Sequence, residues 1–153
     1  MKVNNMSKEV EVFVTGIHVR EGEPTEKVEK TATGSFEILE DGSRVVEYDE
    51  HQDGAATMKV HNRVKIEPDG LKMAVIREGA TRSRLYFGQE LEYDTEYNTP
   101  YGSMQMKVRT TDFDYSNKND EEIKVVAEYD LEIGGDVVSR SMIVIEIKNA
   151  VAQ

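Results

Sequence analysis

Apolar and polar residues alternate one for one along nearly the whole chain, and this pattern limits the fold more than any other feature of the sequence. Period two puts successive side chains on opposite faces of an extended strand, so each alternating stretch reads as a strand with one buried face. Val10, Val12 and Val14 alternate with Glu9, Glu11 and Phe13. Residues 27–39 keep Val28, Ala32, Phe36 and Ile38 in phase, with Gly34 inside, where glycine marks a bulge or a sharp bend. Residues 44–51 put Val46 and Tyr48 on one face. Met58, Val60, Val64 and Ile66 then alternate with Lys59, His61, Arg63 and Lys65. Leu71, Met73 and Val75 make a fifth stretch, and Leu85 and Phe87 against Arg84 and Tyr86 a sixth. Tyr93, Thr95, Tyr97 and Thr99 share one face of the seventh, and Met104, Met106 and Val108 one face of the eighth. The polar run from Asp114 to Glu122 reads as a longer loop. Ile123 to Ile133 and a last stretch with Ile143, Ile145 and Ile147 complete the series.

The stretches are separated by turn chemistry: Asp41-Gly42, Asp53-Gly54, Pro68-Asp69-Gly70, Glu78-Gly79, Pro100-Tyr101-Gly102 and Gly134-Gly135. Short connections make sequence neighbours pair antiparallel. No long stretch has a helical period. About eight to ten strands, each apolar on one face, need a shape that buries all those faces, and a closed up-and-down barrel does so without exposed edges. The expectation is therefore an all-β protein, one closed antiparallel barrel domain over residues 1–153, with residues 1–7 and 150–153 as loose termini. A two-sheet sandwich is the second choice, because it usually needs longer crossing connections.

Several classes of function are narrowed by what the chain contains. It has no cysteine, which removes thiol catalysis, cysteine-held zinc and iron–sulfur clusters. Met1 to Ser7 is polar, and no run is apolar for the length of a membrane helix, so the cytoplasm is the expected compartment and no membrane association is expected. The net charge of −11 disfavours nucleic acid as a general partner. That charge is uneven. Residues 55–89 hold seven basic and three acidic side chains, so the rest of the chain is more acidic than the whole.

Tyr48-Asp49-Glu50, Arg77-Glu78-Gly79, Leu85-Tyr86-Phe87, Tyr97-Asn98-Thr99-Pro100-Tyr101-Gly102 and Tyr129-Asp130-Leu131 occur in that order. Together, over roughly residues 8–149, they resemble the YwiB-like family of small bacterial proteins. The resemblance implies a lipocalin-like (calycin-type) barrel and no established activity. It places the family's recurrent positions at Tyr48, Glu50, Arg77, Gly79, Phe87, Tyr97, Thr99 and Gly102.

Two charged residues fall in phase with the core. Glu50 follows Tyr48 by two, and Arg77 follows Val75 by two. An isolated buried charge costs several kcal/mol or more, so each needs a partner. Either the two pair and close one barrel end, or Arg77 grips the carboxylate or phosphate of a ligand. Tyr48, Phe87, Tyr93, Tyr97 and Thr99 are the other candidate ligand-binding residues, although tyrosine and threonine favour strands anyway. On the solvent face, Lys59, His61, Arg63, Lys65, Lys72, Arg82 and Arg84 form a candidate basic patch. Its candidate occupants are an anionic partner, an acidic protein surface or a nucleic-acid segment; otherwise it is a solvated face, or it complements the acidic surface of a second copy in a homodimer.

His18, His51 and His61 lack metal-ligand spacing, and the run Asp114–Glu122 lacks the glycine of a calcium loop. No nucleophile elbow, phosphate-cradling loop or dinucleotide fingerprint is present. No cofactor, metal or catalytic residue is therefore expected. The leading expectation is a barrel that binds a small amphipathic or anionic ligand. The alternative is a non-catalytic protein-interaction or regulatory module that uses the basic stripe.

Overall fold

Alternation and short turns give ten strands in the structure, a computed structural model. It describes residues 7–51, 59–79 and 82–150, the side chains of His51 and Thr99 excepted. The strands are β1 (Lys8–Val19), β2 (Glu26–Ile38), β3 (Arg44–His51), β4 (Lys59–Ile66), β5 (Lys72–Glu78), β6 (Arg82–Gly88), β7 (Glu92–Thr99), β8 (Gly102–Lys118), β9 (Glu122–Ile133) and β10 (Asp136–Asn149). Each pairs antiparallel with the next, and β10 pairs with β1 to close the barrel. This is the closed up-and-down barrel that the sequence pattern predicts and the lipocalin-like barrel that the resemblance implies. No helix among the described residues is long and apolar enough to cross a membrane.

The barrel has two unlike ends. At the end where β1 begins and β10 finishes, Val10, Phe36, Ile66, Met73, Ile123 and Ile147 are buried and fill the interior. A polar network lies beyond them. The Arg44 guanidinium pairs with the Asp120 carboxylate, Lys8 Nζ donates to the Asp120 carbonyl at 2.7 Å, and Asn117 Nδ2 donates to Asp120 Oδ1 at 2.7 Å. Arg44 holds the Asp120 carboxyl below the usual aspartate range, burial opposing it and Asn117 adding to it. The β4–β5 turn also lies across this end. Gly70 has φ +72°, and a Cβ there would run into the Tyr115 ring, so glycine is required on two counts.

Three sequence expectations are corrected. Asp114–Glu122 is not a loop: β8 runs on to Lys118, and only the turn at Asn119 and Asp120, both with positive φ, separates it from β9. A register shift between Thr110 and Asp112 resets the alternation there. After it, Phe113 and Tyr115 turn inward while Asp114, Ser116 and Lys118 face solvent. Leu71 is not in the core but 58 % exposed, because it sits in the turn before β5 begins. Gly34 marks no bulge. It pairs regularly with Val10 and Tyr48, and its lack of a side chain allows close approach, since a Cβ would lie 2.5 Å from the Glu47 carbonyl oxygen. The Asp53-Gly54 turn, Met58 and residues 1–6 and 151–153 lie outside the described residues.

Candidate functional site

The other end, where β1 finishes and β3 ends at His51, is open, and its interior is polar. Going round the barrel from β1, the inward positions near this mouth are His18, Lys30, Glu50, Asn62, Arg77 and Ser83. On the other side of β1, Ser141 on β10 and Tyr129 on β9, a register pair, continue the ring. A cavity of about 270 Å³ opens here. Val14, Val28, Val75, Ile143 and Ile145 form its apolar walls, and His18, Lys30, Tyr48, Glu50, Asn62 and Arg77 its polar ones. The interior is thus packed at one end and hollow at the other.

Register brings the charged residues together. Asn62 lies opposite Arg77 between β4 and β5, and Glu50 opposite Val60 between β3 and β4. Arg77 Nη2 donates to Glu50 Oε1 at 2.6 Å, and Arg77 Nε donates to Asn62 Oδ1 at 3.1 Å. Asn62 Nδ2 donates to the same Glu50 oxygen at 3.0 Å. Lys30 Nζ sits 2.6 Å from Glu50 Oε2. Burial alone would raise the Glu50 carboxyl. Lys30, Arg77 and Asn62 together outweigh it and hold the group below its ordinary value. One carboxylate is therefore shared by two cations, and the cluster keeps one positive charge in excess. Both cations also reach solvent at the mouth, with Arg77 34 % and Lys30 45 % exposed against 11 % for Glu50.

A second polar group lies on the neighbouring strands β1 and β10. His18 Nδ1 and Ser141 Oγ share a hydrogen bond of 2.8 Å, and Ser139 Oγ lies 3.1 Å from Ser141 Oγ. Burial, then Arg20, push the His18 imidazole below its ordinary value, with Glu26 opposing, so His18 is neutral at physiological pH. Tyr48 is pushed up to about 12, first by burial and then by Glu50, with Arg77 opposing, and stays a neutral phenol.

Of the residues singled out in the sequence, Tyr48, Glu50 and Arg77 meet at this cavity. Phe87 does not line it; the ring is fully buried in the packed core, 5.0 Å from the Tyr129 ring in an edge contact. Tyr93 meets Tyr86 in a tilted contact with ring centroids 4.2 Å apart, and Tyr97 is half-buried on β7 outside the cavity lining. The Thr99 side chain is outside the described residues. Lys30, Asn62, His18 and Ser141 were not singled out. The first three share their phase with Val28, Val60 and Val14, so the inward-polar test that found Glu50 and Arg77 also finds them.

Arg77 borders a second space. Among the described residues, β6 and β7 pair only at Arg82 and Asn98, although their residues run side by side. The Thr95 hydroxyl donates to the Arg84 carbonyl in place of a ladder bond. A cavity of about 490 Å³ fills this slot, with Arg77, Ser83, Arg84 and Thr95 in its lining. The barrel wall is therefore loosened beside the mouth.

On the outer surface the basic stripe divides. His61 Nδ1 lies 2.7 Å from Asp49 Oδ1 and Nε2 lies 2.7 Å from Glu47 Oε1, while Lys59 is 3.7 Å from Asp49. Asp49, then Glu47, raise the His61 pKa. A raised folded pKa gives stability that is fully present below the unfolded value of about 6.5 and is lost as pH rises through the folded value. Urea titrations from acid to alkaline pH should show His61→Gln losing stability relative to the parent chain below neutrality, with the gap closing above it. The effect is small because the ring is exposed. A gap that does not change with pH counts against a charged His61.

Residues 12–145 match the family described as a domain of unknown function, DUF1934. The chain belongs to the DUF1934 family. No curated protein matches it. Among solved structures it is similar to the crystal structure of the ywiB protein from Bacillus subtilis, with a TM-score of 0.80 and 19 % sequence identity. The likeness covers 95 % of this chain and 94 % of the other. At that identity the likeness concerns the barrel itself, and membership of DUF1934 assigns no activity to the mouth.

Proposed function

We propose that the barrel mouth binds a small amphipathic anion, with its head on Lys30 and Arg77 and its apolar body against Val14, Val28 and Ile143. The observation that carries this reading is the Lys30–Glu50–Arg77 cluster at a cavity wall, with one cation in excess of the carboxylate that pairs it. A plug needs only a balanced pair. The excess positive charge, half open to solvent, suits an anionic carboxylate or phosphate monoester head. The volume of about 270 Å³ lies just below the ~300–1,000 Å³ of pockets for drug-sized ligands, so the apolar part is short. His18 and Ser141, on the adjacent strands β1 and β10, offer hydrogen bonds to a second polar group.

Native mass spectrometry of freshly purified protein is expected to show a copurifying small molecule. Titration calorimetry with octanoate and hexyl phosphate tests the head group. Lys30→Met with Arg77→Met is expected to weaken the better of the two at least tenfold, a loss of about 1.4 kcal/mol. Equal binding by the folded double variant, or no binding of either probe and no copurifying molecule, overturns the reading.

A further inference from the structure

The other half of the basic stripe has no use in the barrel. Among the described residues, Arg63, Lys65, Lys72, Arg82 and Arg84 make no ion pair, whereas Lys59 and His61 are held by Asp49 and Glu47. Register gives their arrangement. Arg63 on β4 is opposite Ile76 on β5, which is opposite Arg84 on β6. One step along, Lys65 is opposite Ala74, which is opposite Tyr86. Two cationic rails, Arg63 with Lys65 and Arg82 with Arg84, therefore flank a small apolar track of Ala74 and Ile76. Adjacent strands lie about 4.8 Å apart, which puts the rails about 10 Å apart, and alternate residues in each rail are about 7 Å apart. Lys72 closes one end of the track, and Glu78, opposite both His61 and Arg82, closes the other.

We propose that this outer face of β4, β5 and β6 binds an extended acidic segment of a partner protein, laid along the Ala74–Ile76 track. In an extended chain successive side chains point to alternate sides, so neighbouring Asp or Glu residues reach the two rails in turn. Arginine and tyrosine are the residue types that anchor protein interfaces, and the track supplies apolar contact between the charges. Three observations select a short peptide over a nucleic acid. The chain carries −11 overall, so a long polyanion leaving the patch meets an acidic surface within a Debye length of about 8 Å. Tyr86 already meets Tyr93 in a tilted ring contact with centroids 4.2 Å apart, which leaves less free ring face for a base. Ala74 and Ile76 give a base no stacking platform.

The test uses the full chain, a fluorescein-labelled deca-glutamate peptide and a labelled decathymidylate of similar charge, read by fluorescence anisotropy. The peptide is expected to bind in about 50 mM salt and to weaken roughly tenfold by about 200 mM. Arg63→Glu with Arg84→Glu is expected to weaken it more than tenfold. Lys118→Glu with Lys124→Glu, the same charge change on β8 and β9, is expected to leave affinity within about threefold. Absence of peptide binding at low salt, equal loss in the two double variants, or tighter binding of the oligonucleotide overturns the proposal. Circular dichroism of each variant separates loss of the face from loss of the fold.

Discussion

Phe87→Ala is expected to remove about 3–5 kcal/mol of stability, the range for a phenylalanine deleted from a core that cannot collapse. At this chain length that is a fall of about 10 °C in Tm. The reason begins in the composition. The chain has four phenylalanines and no tryptophan, and most of its fully buried side chains are valine and isoleucine. On its β5 side the strand that carries Phe87 is held by a continuous ladder through Met73, which limits how far the wall moves in to fill a void at the axis. Phe87 is 0 % exposed and supplies the edge contact to Tyr129, which itself spans from the core to Ser141 at the mouth. Urea unfolding at neutral pH measures the loss, and the midpoint should fall without a change in slope. A loss below about 1 kcal/mol would mean that the interior near Phe87 is loosely filled and that the ring has another role.

Why the barrel could be read from the sequence, and the mouth only in part, follows from the range of the interactions. Alternation is local: Val10, Val12 and Val14 show which face of β1 is buried without reference to any other strand. The same rule fails where the backbone changes phase. The shift between Thr110 and Asp112 puts two exposed residues in succession, and the polar outer face of the second half of β8 then looks like a loop. Leu71 failed for a related reason, since it is in phase with Met73 but belongs to the turn. At the mouth, Glu50 and Arg77 were legible because each is a charge in an apolar phase. Their mutual contact was one of two alternatives that the sequence left open, because the choice depends on the β3–β4 and β4–β5 registers, which chain order limits but does not fix. The His18–Ser141 bond depends on closure of β1 on β10, at a sequence separation of 123, and no local pattern encodes it. The loosened β6–β7 seam was invisible too, since Leu91 to Thr99 alternates as regularly as any paired strand.

The second large effect is at Glu50, and it separates stability from binding. Glu50→Leu leaves the Lys30 and Arg77 cations adjacent with no counter-charge. Removing one partner of a fully buried pair costs about 3–5 kcal/mol, and the partial exposure of both cations lowers this to about 1–3 kcal/mol. Adding Arg77→Leu to Glu50→Leu should recover most of the loss, because a buried ion pair replaced by apolar side chains of similar volume is often neutral or stabilising. Glu50→Gln keeps the shape and one hydrogen bond to Asn62 but gives the mouth a second excess positive charge. It is expected to be less stable than the parent chain and yet to bind octanoate or hexyl phosphate more tightly, by about tenfold. A plug predicts only the first of these changes; an anion site predicts both. The pH dependence has a fixed sign. The folded pKa of Glu50 lies below the ordinary value of 4.5, so its contribution is present above that value and is lost as pH falls through the folded pKa. The stability gap between the parent chain and Glu50→Gln should therefore be constant near neutrality and close in acid. Closure already near pH 6 would mean that burial, and not the two cations, controls this carboxyl, and would count against the Lys30–Glu50–Arg77 cluster as an ion-paired unit.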